Sequence, residues 1–353
     1  MNYSAYSASR RKKIEAGLRT FFNARQKEAI SIRFHADVLD KLLTFSLKGK
    51  LMRGVFVHAT YEMCQGRQTN RALKLACALE IMHTGLLIHD DIMDQDELRR
   101  GIRTIYKQYA DEAIHHKFNN PTRYGESMGI STGDVAFFLA QNLLTHSITG
   151  LPQSRKIQDT FSREMIRLGV AQMEDVYMGN LKTSPHVNEV ILMYLYKSAR
   201  YSFSLPFEMG AQLAKATPAV CKLLSRLGEQ IGIIFQLKDD EIGLFETSKS
   251  IGKSIGIDII SNKKTLHRLF CLSAAPPAER KKLISIFGNS QASAREIKYV
   301  MDAMIKYNIK EKVARFMEPY EKEAYRLIDQ LEKKGMNTTM LRGIVELNMR
   351  RTK

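Results

Sequence analysis

Residues 72–94 read ALKLACALEIMHTGLLIHDDIMD. The run has no proline, and Gly85 is its weakest helix former. Leu75, Leu79, Met82, Leu86 and Met93 recur at spacings of three and four or their sum, the period of one helical face. This predicts one long helix with Asp90, Asp91 and Asp94 at its C-terminal end. On it Asp90 and Asp94 stand one turn apart, with Asp91 about 100° around the axis. Two carboxylates can therefore reach one cation together. Negative charge crowded at the end of an apolar helix is unfavourable unless something positive lies between. A solvated terminus paired with Arg99 and Arg100 is the plainer alternative.

The same helical character extends over 159–178, 187–214 and 219–244, with Pro152, Pro185 and Pro218 as punctuation. Residues 111–127 and 246–263 read as connections, and strand alternation is scarce. Eight prolines against 21 glycines in 353 residues leave few obligatory breaks, so an all-α chain is expected. A second acidic run, FQLKDDEIG at 235–243, again closes an apolar helical stretch. If the two helices face each other, their carboxylates bracket a cavity suited to hard cations. Oxygen ligands with open positions completed by phosphate oxygens are the usual setting of Mg²⁺.

Lys and Arg number 54 against 37 Asp and Glu, a net charge of +17. Such an excess calls for an acidic partner: nucleic acid, an anionic membrane or a phosphorylated small molecule. Acidic runs on apolar helices would repel a phosphate backbone unless metal-bound, which argues against a nucleic-acid or membrane-binding module. Cys64, Cys77, Cys221 and Cys271 show no metal-ligand spacing, which favours reduced packing thiols and a cytoplasmic location. Charged residues interrupt every apolar run, so no transmembrane segment is expected and the protein reads as soluble. Residues 1–27 carry seven Lys and Arg against Glu15 alone, a basic first helix with a faint likeness to an organellar presequence. The chain closes on a basic tail, 348–353, with Arg350, Arg351 and Lys353.

The two acidic runs resemble the aspartate-rich motifs of the trans-type polyprenyl diphosphate synthases. LLIHDDIMDQDELRRG (86–101) is similar to the first and FQLKDDEIGLF (235–245) to the second. Further matches fall in family order: GKLMRG (49–54), GD (133–134), GVAQMED (169–175), YKSARYSFSLPFEMGA (196–211) and GKSIGIDIISNKKTL (252–266). The resemblance implies an isoprenoid synthase-type orthogonal helical bundle around a central active-site cavity, one domain over 1–353, and a homodimer. It implies a Mg²⁺-dependent, head-to-tail (1′-4) condensation of isopentenyl diphosphate with allylic diphosphates, with three ions once diphosphate is bound. Asp90, Asp91, Asp94 and Asp239 would be metal ligands, with Asp240 close by. Arg99, Lys197 and Lys253 would hold the allylic diphosphate, and Lys50, Arg53, His83 and Arg100 that of isopentenyl diphosphate. Gln236 and Ser198 would turn oxygens toward the carbocation.

Departures from the family pattern are Lys48, Leu51 and Met52 in the first basic segment, Ser198 for the commoner Thr, and Gly243 for Asp. Short-chain members of the family often carry an aromatic ring at the position of Gly85. Its absence leaves Met82 and Ile81 as the next floor of the product tunnel, which favours a twenty-carbon geranylgeranyl product over farnesyl. A longer polyprenyl product is the alternative. A class I terpene cyclase on the same scaffold would lack the second Asp-Asp run and the Lys50–Arg53 grip.

Overall fold

The computed structural model describes residues 2–28, 32–245 and 257–351. Lys253, Lys353 and residues 246–256 of the second expected connection lie outside the described residues. The described chain is overwhelmingly helical, and it divides into two compact units.

Unit one spans Met1–Ile157 with Met209–Thr217. It contains α1 (Tyr3–Gln26), α2 (His35–Leu47), α3 (Met52–Met63), α4 (Thr69–Met93), α5 (Ile105–His115) and α6 (Pro121–Ile148). Between α4 and α5 lies a hairpin of β1 (Leu98–Arg99) and β2 (Ile102–Arg103), with Leu98 opposite Arg103. The connection expected over 111–127 is shorter than its composition suggests. Asn120 caps the backbone N–H of Arg123 at 3.1 Å and Pro121 opens the helix, so α6 already runs through Gly125.

Three glycines spaced four apart let α6 approach α4 and α5 closely. A methyl on Gly125 would lie 2.3 Å from the carbonyl of Tyr106, and one on Gly133 would lie 2.2 Å from the His89 ring. At Gly129 it would meet Ile92 at 2.8 Å. Contrary to the expectation of no membrane-length segment, α4 is long and apolar enough by length and composition to cross a bilayer. Two thirds of its most apolar stretch (67%) is buried in the unit, with Leu75, Ile81 and Ile88 fully enclosed, so it serves as a core helix. The basic first helix is built into the same unit by Tyr6, Ile14, Leu18 and Phe22, and Arg10 pairs with Glu62 at 2.8 Å.

Unit two spans Gln158–Glu208 with Pro218–Lys353. Helix α7 (Ser154–Asn180) enters it, and α8 (Val187–Tyr194) passes through a π-helical stretch, Leu195–Ser204, into α9 (Leu205–Leu213). Then come α10 (Pro218–Phe245) and the turn α11 (Ile257–Ile260), followed by α12 (Leu266–Ala274) and α13 (Pro277–Ile286). Helices α14 (Ala294–Lys306), α15 (Ile309–Glu332) and α16 (Thr339–Met349) complete the unit. Its core gathers Leu237, Leu266, Leu283, Val300 and Val313. The π stretch beds into two notches on α10. A methyl on Gly232 would lie 2.3 Å from the Ala199 Cα, and one on Gly228 would lie 2.4 Å from the Ser204 nitrogen. All four cysteines are free thiols.

Candidate active site

Helix α4 stops in a Schellman motif. The N–H of Asp96 returns to the carbonyl of Asp91 at 2.9 Å, and that of Gln95, at φ 55°, to Ile92 at 3.3 Å. The stop fixes Asp90, Asp91 and Asp94 around the last turn, where unpaired carbonyls already concentrate negative charge. Arg99 from β1 answers part of this. Its Nε donates to Asp91, and its Nη2 donates to Asp96 at 2.9 Å and to Asp90 at 3.3 Å. Asp91 is fully buried, and its Oδ2 has no hydrogen-bond partner among the described residues. Burial pushes its carboxyl up to about 7 against the opposing pull of Arg99.

Among the described residues, no three acidic, His or Cys side chains converge on a metal position as placed. The donor set still fits a hard divalent cation: oxygens only, one of them buried and orphaned, at the negative pole of a helix. Asp96 joins the cluster although it was not a sequence candidate. Its signal was the third carboxylate in the run DIMDQD.

Both central residues of the hairpin, Arg100 (φ 53°) and Gly101 (φ 77°), are left-handed, as a two-residue type I′ turn requires. Arg99 serves the carboxylates, whereas Arg100 Nη2 lies 3.4 Å from Nε2 of His83. Gly49 makes room for it, since a Cβ there would lie 2.7 Å from Nη1 of Arg100. Glu80, buried beneath, accepts from the Gly54 N–H at 2.8 Å, and Arg53 and Arg100 offset the burial that raises its carboxyl. Burial, then Arg53, Arg100 and Arg99, hold the His83 ring neutral, well below the usual imidazole range. Arg53, His83 and Arg100 thus meet as a basic cluster with Glu80 as counter-charge. Lys50 is exposed on the turn before left-handed Leu51. Glu80 was missed by sequence reasoning, although it is the sole acid in the run 72–89.

In unit two, Lys197 on the π stretch donates to Asp175 of the GVAQMED segment. Next to it, Ser198 Oγ donates to Gln236 Oε1 at 2.6 Å, and Gln236 Nε2 donates to Asp240 Oδ1 at 2.8 Å. The hydroxyl of Tyr194 donates to Asp240 Oδ2 and accepts from the Leu266 N–H at 3.3 Å. Burial pushes the Asp240 carboxyl up to about 8. Asp239, one residue earlier, turns outward and pairs with Nη2 of Arg351 at 2.8 Å. The Arg351 guanidinium sits 4.3 Å from the Phe235 ring centre, so it is not a solvated tail residue. Beside Gly243 stands the carboxylate of Asp258: a Cβ on Gly243 would lie 2.8 Å from its Oδ2.

Gly85, which has no side chain of its own, packs against α6. A Cβ at Gly85 would lie 2.7 Å from the Phe137 ring and 2.9 Å from the Gly133 carbonyl, so an aromatic side chain already stands there. Met82 and Ile81, on the turn before it, are buried.

The polyprenyl synthetase family model matches residues 36–304. A geranylgeranyl diphosphate synthase of Sulfolobus acidocaldarius is 30% identical over 312 residues, 88% of this chain and 89% of that protein. One from Saccharolobus solfataricus is 31% identical over 75% of each. Among solved structures, a geranylgeranyl pyrophosphate synthase of Corynebacterium glutamicum, complexed with isoprenyl diphosphate and magnesium, superposes with a TM-score of 0.90 at 23% identity. That match covers 99% of this chain and all of the other. A Pyrococcus horikoshii geranylgeranyl pyrophosphate synthetase gives 0.80 at 22% identity, covering 99% of both chains. The chain has the all-α isoprenoid synthase fold and is a prenyltransferase belonging to the polyprenyl synthetase family.

Proposed function

We propose that this protein is a Mg²⁺-dependent synthase that adds isopentenyl diphosphate head to tail to an allylic diphosphate and delivers mainly geranylgeranyl diphosphate. The observation that carries this reading is the set of carboxylates gathered at the negative pole of α4, with Arg99 among them and one oxygen of Asp91 buried without a hydrogen-bond partner among the described residues. The archaeal relatives at about 30% identity, both named geranylgeranyl diphosphate synthases, support the product. On this reading Asp90, Asp91, Asp94 and Asp239 hold Mg²⁺, three ions once diphosphate is bound. When bound, Mg²⁺ neutralises the diphosphate and weakens the allylic C–O bond.

Arg99, Lys197 and Lys253 grip the allylic diphosphate and stabilise the charge that builds on it as it leaves. Arg53, Arg100, neutral His83 and exposed Lys50 receive the diphosphate of isopentenyl diphosphate, Glu80 keeping the two arginines in place while the site is empty. The oxygens of Ser198 and Gln236 face the allylic cation. The new C–C bond forms from the isopentenyl double bond, and the proton released passes to the freed diphosphate. The product grows along α4, with Phe137 beside Gly85 and then Met82 and Ile81 as its limit.

The whole of 1–353 acts as one domain in this proposal, supported by a family match that runs through both units. We place the protein in the cytoplasm as a homodimer, supported by its free thiols and by exposed Ile130, Val135 and Phe138 on α6. Purified protein given Mg²⁺, isopentenyl diphosphate and dimethylallyl, geranyl or farnesyl diphosphate should yield the twenty-carbon product from each, and none after chelation. Absence of any prenyl diphosphate product overturns the reading. Asp90→Ala should lower kcat at least about 10³-fold, a loss of roughly 4 kcal/mol of transition-state stabilisation. Phe137→Ala should lengthen the product.

A further inference from the structure

Tyr194 is fully enclosed at the end of α8, in the apolar cluster that also holds Met178, Leu237 and Leu266. A phenylalanine would fill that place as well, so the buried hydroxyl needs partners to offset its lost hydration. It has two, Asp240 Oδ2 as acceptor and the Leu266 N–H as donor. The other oxygen of Asp240 accepts from Gln236 Nε2, which fixes which way the Gln236 amide faces. Its carbonyl oxygen is thereby left to receive the only proton of Ser198. What Ser198 Oγ shows beyond this chain is lone pairs. Tyr194 and Ser198 lie on one continuous helical run, and Gln236 and Asp240 lie one turn apart on α10, so the bonds close a loop between two elements.

We infer that Tyr194 is a positioning residue: its hydroxyl locks Asp240 inward and, through Asp240, orients Gln236 and Ser198, leaving Asp239 alone of the pair to face a cation. This rests on the prenyltransferase reading, and two measurements keep the two ideas separable. In steady-state assays Tyr194→Phe should lose about tenfold in kcat with both diphosphate KM values within twofold. Added to Gln236→Ala it should cost nothing further, because both substitutions break one relay. Mn²⁺ titration with inorganic pyrophosphate, followed by electron paramagnetic resonance, should show Mn²⁺ affinity changed at least threefold in Tyr194→Phe. Adding Asp240→Asn should remove that change.

Unchanged kcat, a KM effect alone, or additive losses in the double variant overturn the inference. If the parent makes no prenyl diphosphate, the functional reading fails and the Mn²⁺ titration decides the relay, unaltered affinity overturning it. Should Tyr194→Phe not fold, Asp240→Asn alone presents an N–H where an acceptor stood. It should give the same kcat loss, and full activity there overturns the relay.

Discussion

Asp239 and Asp240 are chemically identical neighbours that α10 sends to opposite surroundings. One is outward under a guanidinium, the other inward under a phenol. Arg351 therefore competes with any cation at Asp239, a half-exposed ion pair worth roughly 0.5–1 kcal/mol. Arg351→Ala should tighten Mn²⁺ binding in the presence of pyrophosphate by about threefold, read by calorimetry; a weaker or unchanged affinity sinks this view.

Residues such as Asp90, Lys197 and Ser198 could be named from the sequence because they sit in contiguous motifs whose chemistry shows in their type. Tyr194, Glu80 and Phe137 could not. Each meets a partner distant along the chain, Asp240, Arg53 and Gly85 respectively, and spacing carries no trace of such a meeting.

Among the elements, α4 and α10 were legible because their apolar period is long and unbroken. The π stretch between α8 and α9 has no period of its own, and only the two glycine notches on α10 betray it. Gly232→Ala should drive that stretch off α10 and destabilise the protein by about 1–3 kcal/mol in urea unfolding.

Helix α12 carries a second consequence. His267 is fully buried with neither ring nitrogen hydrogen-bonded among the described residues, and burial, then Lys238 and Lys310, lower it to about 3. The folded state keeps the ring neutral, while the unfolded chain takes up a proton near the ordinary value of 6.5. Its contribution is therefore complete above about pH 6.5 and is lost as pH falls toward 3, roughly 2–3 kcal/mol by pH 4.5. His267→Leu should flatten that part of the profile, and equal urea midpoint shifts between pH 7 and 4.5 in both proteins would refute this.

For the whole molecule, the net charge of +17 is consistent with phosphorylated substrates, but it could not locate the clusters that receive them. Exposed Phe138, 74% accessible, offers the test of the proposed homodimer: if the parent sediments as a dimer, Phe138→Asp should sediment as a monomer. The three aspartates at the close of α4 have a wider reach. If they hold Mg²⁺ as proposed, the ion binds the folded chain in preference to the unfolded one, so loading and folding are thermodynamically linked. The starved protein should melt several degrees lower, exchange its amide hydrogens fastest around residues 90–96, and fall first to proteases. Its lifetime would then report the supply of that cation.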